Sequence, residues 1–313
     1  MTARHLLTIE ELGAESLSDV LNLGFSIARS REDFARALAG KLVGIYFRRT
    51  STRTRTSFTV GALRLGAATI SYGPHDLQLA TGETVRDTAR VLAGFGLNAL
   101  VIRTNDALSE MREFAAQTEM SIINAMSDNE HPTQAIADLV TIKEEFGRLE
   151  DTHILYIGEG NNTAASLALA VAQTPAMRLT LVTPEGYGLP ASLLETCGNF
   201  IARSGSQVEQ HHDMNGLPAP VDVVYTTRWQ TMGEPKVDDN WREKFEPYKI
   251  TSDVMAQVSQ PSTIFMHDLP AMRGAEIVDD VLDGPQSRAF LQARHKLTSA
   301  MASLAWCVGI SDQ

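Results

Sequence analysis

The chain has 313 residues, 43% of them hydrophobic and 21% charged, and its 27 Lys and Arg against 38 Asp and Glu give a net charge of −11. That apolar content excludes disorder as the main state, and the length favours two domains. The acidic balance excludes a general binder of nucleic acid or anionic membranes, so any anion site must be local. The two cysteines, Cys197 and Cys307, form no CxxC pair, which excludes a disulfide framework or a thiolate metal centre and fits a reducing cytoplasm. The N-terminal MTARHLLTIEELGAESL lacks the apolar stretch of an export signal, and no run reaches the ~18 apolar residues that cross a bilayer, so a soluble, unexported protein is expected.

In the first half, KLVGIYF (41–47), ALVIR (99–103) and SIINA (121–125) read as strands, with helices predicted around 54–65, 84–95, 107–117 and 132–146. Pro132 stands where proline suits a helix start. In the second half HILYIG (153–158), LTLVT (179–183), VDVVYT (221–226) and TIFMH (263–267) read as strands, with helices near 163–173, 190–203 and 286–309. The alternation predicts an α/β chain of parallel sheets covered by helices. The polar stretch FGRLEDTH places a boundary near 147–152, dividing the chain into 1–149 and 150–313. Ligands of open parallel sheets sit beyond the carboxyl ends of the strands, so chemistry is expected just after 47, 103, 125, 158, 226 and 267.

After the first strand comes Arg-Arg-Thr-Ser-Thr-Arg-Thr-Arg-Thr-Ser-Phe, 48–58. A hydroxyl-rich turn entering a helix offers backbone N–H groups and a positive dipole end, and Arg53 adds a fork of donors, a combination suited to phosphate. The alternative is that Ser51 or Thr52 only caps the helix. Arg103 ends another strand and either reinforces the anion site or makes a surface ion pair. In Ser-Asp-Asn-Glu-His-Pro-Thr-Gln, 127–134, His131 and Gln134 can converge on one carbonyl oxygen, or the segment is only a capped helix start. Gly158-Glu-Gly-Asn-Asn-Thr163 fails the dinucleotide fingerprint at its third glycine, and neither a GKS/GKT P-loop nor HExxH occurs, which argues against a nicotinamide dehydrogenase and a metal-dependent hydrolase. The His211-His212 pair reads as loop surface, with no third ligand near it.

Together, Ser51-Thr-Arg-Thr-Arg55, Arg103 and His131-Pro-Thr-Gln134, with Asp87-Thr-Ala-Arg-Val-Leu92, Gly160-Asn-Asn162, Trp229-Gln-Thr-Met-Gly233 and His267-Asp-Leu-Pro270, resemble the aspartate/ornithine carbamoyltransferase family across nearly the whole chain. The resemblance implies two doubly wound α/β domains, one for carbamoyl phosphate and one for the amino acid, bridged by terminal helices, with helix 286–309 packing back on the first. It implies a trimer with active sites between subunits, Gln78 entering the neighbouring site, and no cofactor or metal. In the implied reaction a neutral amine attacks the carbamoyl carbon and phosphate leaves. Ser51, Thr52, Arg53 and Thr54 would hold the phosphate, Arg103 would bridge phosphate and carbonyl, and His131 and Gln134 would stabilise the oxyanion or fix the carbamoyl NH2, each well-placed donor contributing on the order of a few kcal/mol. Gln78, Leu269 and either Arg294 or His295 would complete the carbamoyl phosphate set.

Departures cluster in the acceptor half. Asn162 matches the asparagine that holds the acceptor carboxylate, and Thr231 and Met232 stand where ornithine enzymes have Ser-Met. The aspartate those enzymes place before that stretch is Thr227 here, and its loss removes roughly 1.5–3 kcal/mol of charge-assisted bonding to an α-ammonium. Thr227-Arg228-Trp229-Gln230 has the Thr-Arg-x-Gln spacing of aspartate-type enzymes, and Asp268 replaces the cysteine of His-Cys-Leu-Pro. Asp268 would act as a base, anchor a second cation of the acceptor, or pair with Arg228 or Arg273. The expectation is therefore a carbamoyltransferase whose acceptor is an amino acid or diamine other than standard ornithine. The alternatives are an ordinary citrulline-forming ornithine enzyme and a non-catalytic carbamoyl phosphate-binding protein on the same fold.

Overall fold

The computed structural model describes every residue except 1, 2, 105, 118, 231–235, 237 and 310–313. The chain forms two compact units, Met1–Val140 with Arg294–Gln313, and Thr141–Ala293.

The first unit opens with α1 (Ile9–Arg29), capped by the Thr8 hydroxyl on Glu11 N and kinked at Gly13, whose φ is 74°. Then come β1 (Leu42–Phe47), α2 (Thr52–Arg64), β2 (Ala68–Tyr72), α3 (Val85–Gly94), β3 (Ala99–Arg103), α4 (Ser109–Gln117), β4 (Ser121–Asn124) and α5 (Pro132–Phe146), which runs into the second unit. Among the described residues the sheet is four-stranded, parallel, in the order β2-β1-β3-β4. β3 and β4 are wholly buried, and near-continuous apolar runs are what a strand covered on both faces requires. Tyr46, Leu100, Ile102 and Ile122 pack against Ala89 and Leu92 of α3 and Met111 and Phe114 of α4. Each fully buried side chain of this kind contributes roughly 1.5–3 kcal/mol.

The second unit contains β5 (His153–Ile157), α6 (Asn162–Gln173), β6 (Arg178–Val182), α7 (Ala191–Ser204), β7 (Gln207–His211), β8 (Val221–Thr226), α8 (Trp241–Phe245), α9 (Ser252–Val258), β9 (Ser259–His267) and α10 (Asp279–Leu282). Among the described residues its parallel sheet is five-stranded, in the order β7-β6-β5-β8-β9. Leu155, Ile157, Val224 and Phe265 form its core with Ile250, Met255, Val258, Ile277 and Leu282. α11 (Ala289–Val308) begins in this unit. From Arg294 on it belongs to the first, where Ser299 Oγ donates to Thr133 O (2.6 Å) and Ser121 Oγ donates to Cys307 O (2.9 Å).

Two parallel-sheet α/β domains are thus present, as the sequence predicts. The strand readings hold for seven segments, and β2 and β7, two of the four edge strands, escape them. Both cysteines are buried and free, and among the described residues no helix is long and apolar enough to cross a membrane.

Candidate active site

In the first unit the strand order reverses between β1 and β3, the switch point where open α/β sheets place ligands. Phe47 pairs with Arg103 in the register, so the turn after β1 lies beside the end of β3. Ser51 occupies the N-cap of α2 in extended conformation, yet its hydroxyl makes no capping hydrogen bond. The capping alternative is therefore not realised for Ser51, and the positive end of α2 has no side-chain cap competing with an anion. Thr52 is exposed, Arg53 half-buried and Thr54 buried. The Arg103 guanidinium, 7% exposed, reaches Thr54 Oγ1 from Nη1 at 3.4 Å.

His131 and Gln134 flank the start of α5, both buried. His131 Nδ1 lies 3.4 Å from Thr133 Oγ1. Burial, and then the nearby cations of Lys296 and Arg103, hold the imidazole well below its ordinary 6.5, so it is neutral at pH 7 and serves as a polar donor rather than a charge. Gln134 Nε2 donates to Asp138 Oδ1 at 2.7 Å, which turns its carbonyl toward the Lys296 ammonium, and Lys296 Nζ donates to Gln134 Oε1.

Lys296 escaped the sequence reading, which looked for the cation of the last helix at Arg294 or His295. Arg294 is exposed, near Arg31, and His295 is buried with Nδ1 3.4 Å from Thr298 Oγ1. A signal for Lys296 exists. Gln292, Lys296, Ser299 and Ser303 recur at helical spacing on a buried face of α11, and a lysine in such a row requires partners. The first unit thus gathers Arg103, Lys296 and a neutral His131 in a chain of net charge −11. Gln78, by contrast, is exposed on the loop after β2 and accepts from Thr81 Oγ1 at 2.5 Å.

In the second unit the order reverses between β5 and β8. Asn161 caps α6 by accepting from Thr163 N (3.0 Å) and Ala164 N (3.2 Å), leaving Asn162 as the first helical residue, half-buried. The Asp268 carboxylate, just past β9, accepts from Thr227 Oγ1 (2.8 Å) and from Thr163 Oγ1 (3.1 Å). Three strand ends, β5, β8 and β9, therefore converge on one carboxylate. Neither arginine considered as its partner takes it: Arg273 binds Asp279 (2.5 Å) and Asp283 (2.6 and 2.9 Å), and among the described residues Arg228 makes no ion pair. Arg228 and Gln230 are half-buried, and Trp229 packs its ring 5.6 Å from Phe245. Thr231 and Met232 lie outside the described residues.

Comparison with known proteins sets this arrangement in a lineage. Residues 4–144 match the aspartate/ornithine carbamoyltransferase carbamoyl-P binding domain, and residues 150–307 match the Asp/Orn binding domain of the same family. The chain belongs to the aspartate/ornithine carbamoyltransferase family. It is 38% identical over 309 residues to an ornithine carbamoyltransferase of Caldicellulosiruptor saccharolyticus, covering 98% of this chain and 99% of that one. The crystal structure of ornithine carbamoyltransferase from Gloeobacter violaceus superposes with a TM-score of 0.86 at 35% identity, covering 99% and 100% of the two chains. The Pyrococcus furiosus ornithine carbamoyltransferase gives 0.90 at 34% identity and 99% of both. The protein is thus a carbamoyltransferase of this family, nearer to the ornithine branch, with one unit for carbamoyl phosphate and one for an amino acid. The expectation of a non-standard acceptor finds no support among these relatives, which favour the ordinary ornithine alternative.

Proposed function

We propose that the enzyme transfers the carbamoyl group of carbamoyl phosphate to the side-chain amine of ornithine, forming citrulline and releasing phosphate. The observation that carries this reading is the Asp268 carboxylate tethered by Thr227 and Thr163. The sequence lacks an aspartate at 227 to grip the α-ammonium, but a carboxylate hydrogen-bonded to Thr227 supplies the same charge from the neighbouring strand. The counter-charge has moved from β8 to β9, and the specificity for an α-amino acid is kept. Asn162 and the half-buried Arg228 then serve the acceptor carboxylate, with Gln230, Thr231 and Met232 completing the acceptor set.

On the donor side, the first turn of α2 with Ser51, Thr52, Arg53 and Thr54 holds the phosphate, and Arg103 spans phosphate and carbonyl. Gln134 donates one N–H to Asp138, and its carbonyl, which accepts from Lys296, keeps a second lone pair that suits the carbamoyl NH2. The oxyanion then falls to His131, Arg103 and Lys296. Donors set in place before reaction contribute on the order of 3–4 kcal/mol each. No side-chain nucleophile is needed, since the departing phosphate takes the amine proton and orientation supplies the remainder.

A trimer sharing Gln78 between subunits is part of the proposal. Leu63 on α2, Ile70 on the edge strand β2, and Val91 and Phe95 at α3 are large apolar side chains left exposed in the single chain, and their burial supports self-association. The free, buried cysteines support a reducing, cytoplasmic setting.

The test supplies carbamoyl phosphate and a panel of amines, including ornithine, lysine, putrescine and aspartate, and measures phosphate and ureido product together. Saturable citrulline formation from ornithine, well above the others, is expected. Turnover on another amine with ornithine inert would reject the ornithine assignment, and stabilisation by carbamoyl phosphate with no turnover on any amine would favour the non-catalytic alternative.

A further inference from the structure

The turn that carries Asp268 is held by a buried pair outside the sites described so far. His267 and Glu276 are 0% and 1% exposed. Leu269 N donates to His267 Nδ1 at 2.9 Å, which requires a lone pair on Nδ1 and puts the proton of the neutral ring on Nε2. Glu276 Oε1 lies 3.2 Å from that Nε2 and accepts from it. The same oxygen accepts from Met272 N, and His267 N donates to Gln292 Oε1 at 2.8 Å. Leu269 has φ +53°, a left-handed conformation that a branched side chain adopts only when its surroundings impose it. Here the imposed contact is the bond to Nδ1. Asp268 stands between ring and leucine, with Oδ1 3.6 Å from Nδ1. A proton on Nδ1 would displace the Leu269 N–H and release the turn.

We propose that Glu276 is a positioning residue for the amine substrate: by accepting from His267 Nε2 it selects the ring tautomer that locks Leu269, and thereby aims the Asp268 carboxylate that Thr227 and Thr163 hold. Glu276 touches no substrate and acts through His267. This inference rests on the assignment of Asp268 to the acceptor. It does not need the acceptor to be ornithine, because the test uses whichever amine the wild-type enzyme carbamoylates. A wild type inert toward ornithine but active on another amine therefore fails the earlier proposal and leaves this one open to its own result.

The first measurement needs no variant. Long-range 1H–15N NMR of the histidine-labelled wild-type protein is expected to show His267 neutral with the proton on Nε2, and a proton on Nδ1 would overturn the proposal. The second is Glu276→Gln, whose amide can offer N–H as well as C=O and so permits the other tautomer. Expected are loss of the Nε2–H signature and a kcat/KM for the amine lower by up to about a hundredfold, the cost of misplacing a group by an ångström. Glu276→Asp, which keeps the carboxylate, should recover part of the loss. A lowered melting temperature with unchanged amine kinetics would mark the pair as merely structural and overturn the proposal.

Discussion

Lys296 shows what a single side chain adds to the donor site. Its ammonium is bound to a glutamine that Asp138 orients, and it faces a histidine kept neutral by burial and by two cations. Lys296→Met, which keeps the apolar stem and removes the charge, is expected to lower kcat/KM for carbamoyl phosphate by about 10²–10³, the usual effect of deleting one oxyanion donor. Arg294→Met, at an exposed position, should change it by less than about twofold. Steady-state kinetics on the two variants check both. His131 carries a pH signature. Its folded pKa is depressed below 6.5, so below about pH 6.5 the unfolded chain takes up a proton that the folded chain refuses. Stability is unaffected above that pH and falls as pH drops toward the folded pKa. His131→Gln is expected to flatten the decline of Tm between about pH 7 and pH 5. Some slope will survive, because burial also lowers His5 and His153, and an unaltered slope would refute a neutral His131.

At the scale of elements, the sequence was legible where burial is two-sided. LVGIYF, ALVIR and VDVVYT are apolar enough to be read without tertiary knowledge, and Pro132 marks the start of α5 to the residue. The edge strands ATISY and QVEQH hold only exposed and half-buried positions, so composition hides them until neighbouring strands are known. The N-terminal stretch shows no clear helix in its sequence, although α1 runs for 21 residues, because Gly13 breaks its period. The turn after β5 is likewise opaque in sequence, where Gly158-Glu-Gly160 looks like a failed fingerprint. Its glycine has another reason. A Cβ on Gly160 would lie 2.4 Å from backbone atoms of Gly188 and Leu189, neither of which can yield as a side chain could. Gly160→Ala is expected to destabilise the fold by about 1–3 kcal/mol in denaturant titration and to raise the amine KM, since Asn162 follows directly. A neutral substitution would show that the two segments separate freely.

In the whole molecule, Arg103 and Lys296 lie in one unit and the tethered Asp268 carboxylate in the other, a division suited to a dianionic donor and a cationic acceptor. The proposed donor motifs, Ser51–Thr54 and His131–Gln134, are short and contiguous and so stand out in the sequence, whereas Lys296, far along the chain, does not. The acceptor half does not stand out either, because the partners of Asp268 stand 41 and 105 residues away and only folding brings them together. If the proposed assembly is right, sedimentation equilibrium should give three times 34.2 kDa, and a monomer mass would reject it. The most direct measurement is the pair of Michaelis constants for Asp268→Asn, which keeps the shape and one accepting oxygen, turns the other hydroxyl contact into an amide N–H donating to a threonine oxygen, and removes the charge. The KM for ornithine should rise by about tenfold or more, matching 1.5–3 kcal/mol of lost charge-assisted bonding, with the KM for carbamoyl phosphate unchanged. An ornithine KM equal to that of the wild type would contradict the assignment of the acceptor's counter-charge to Asp268.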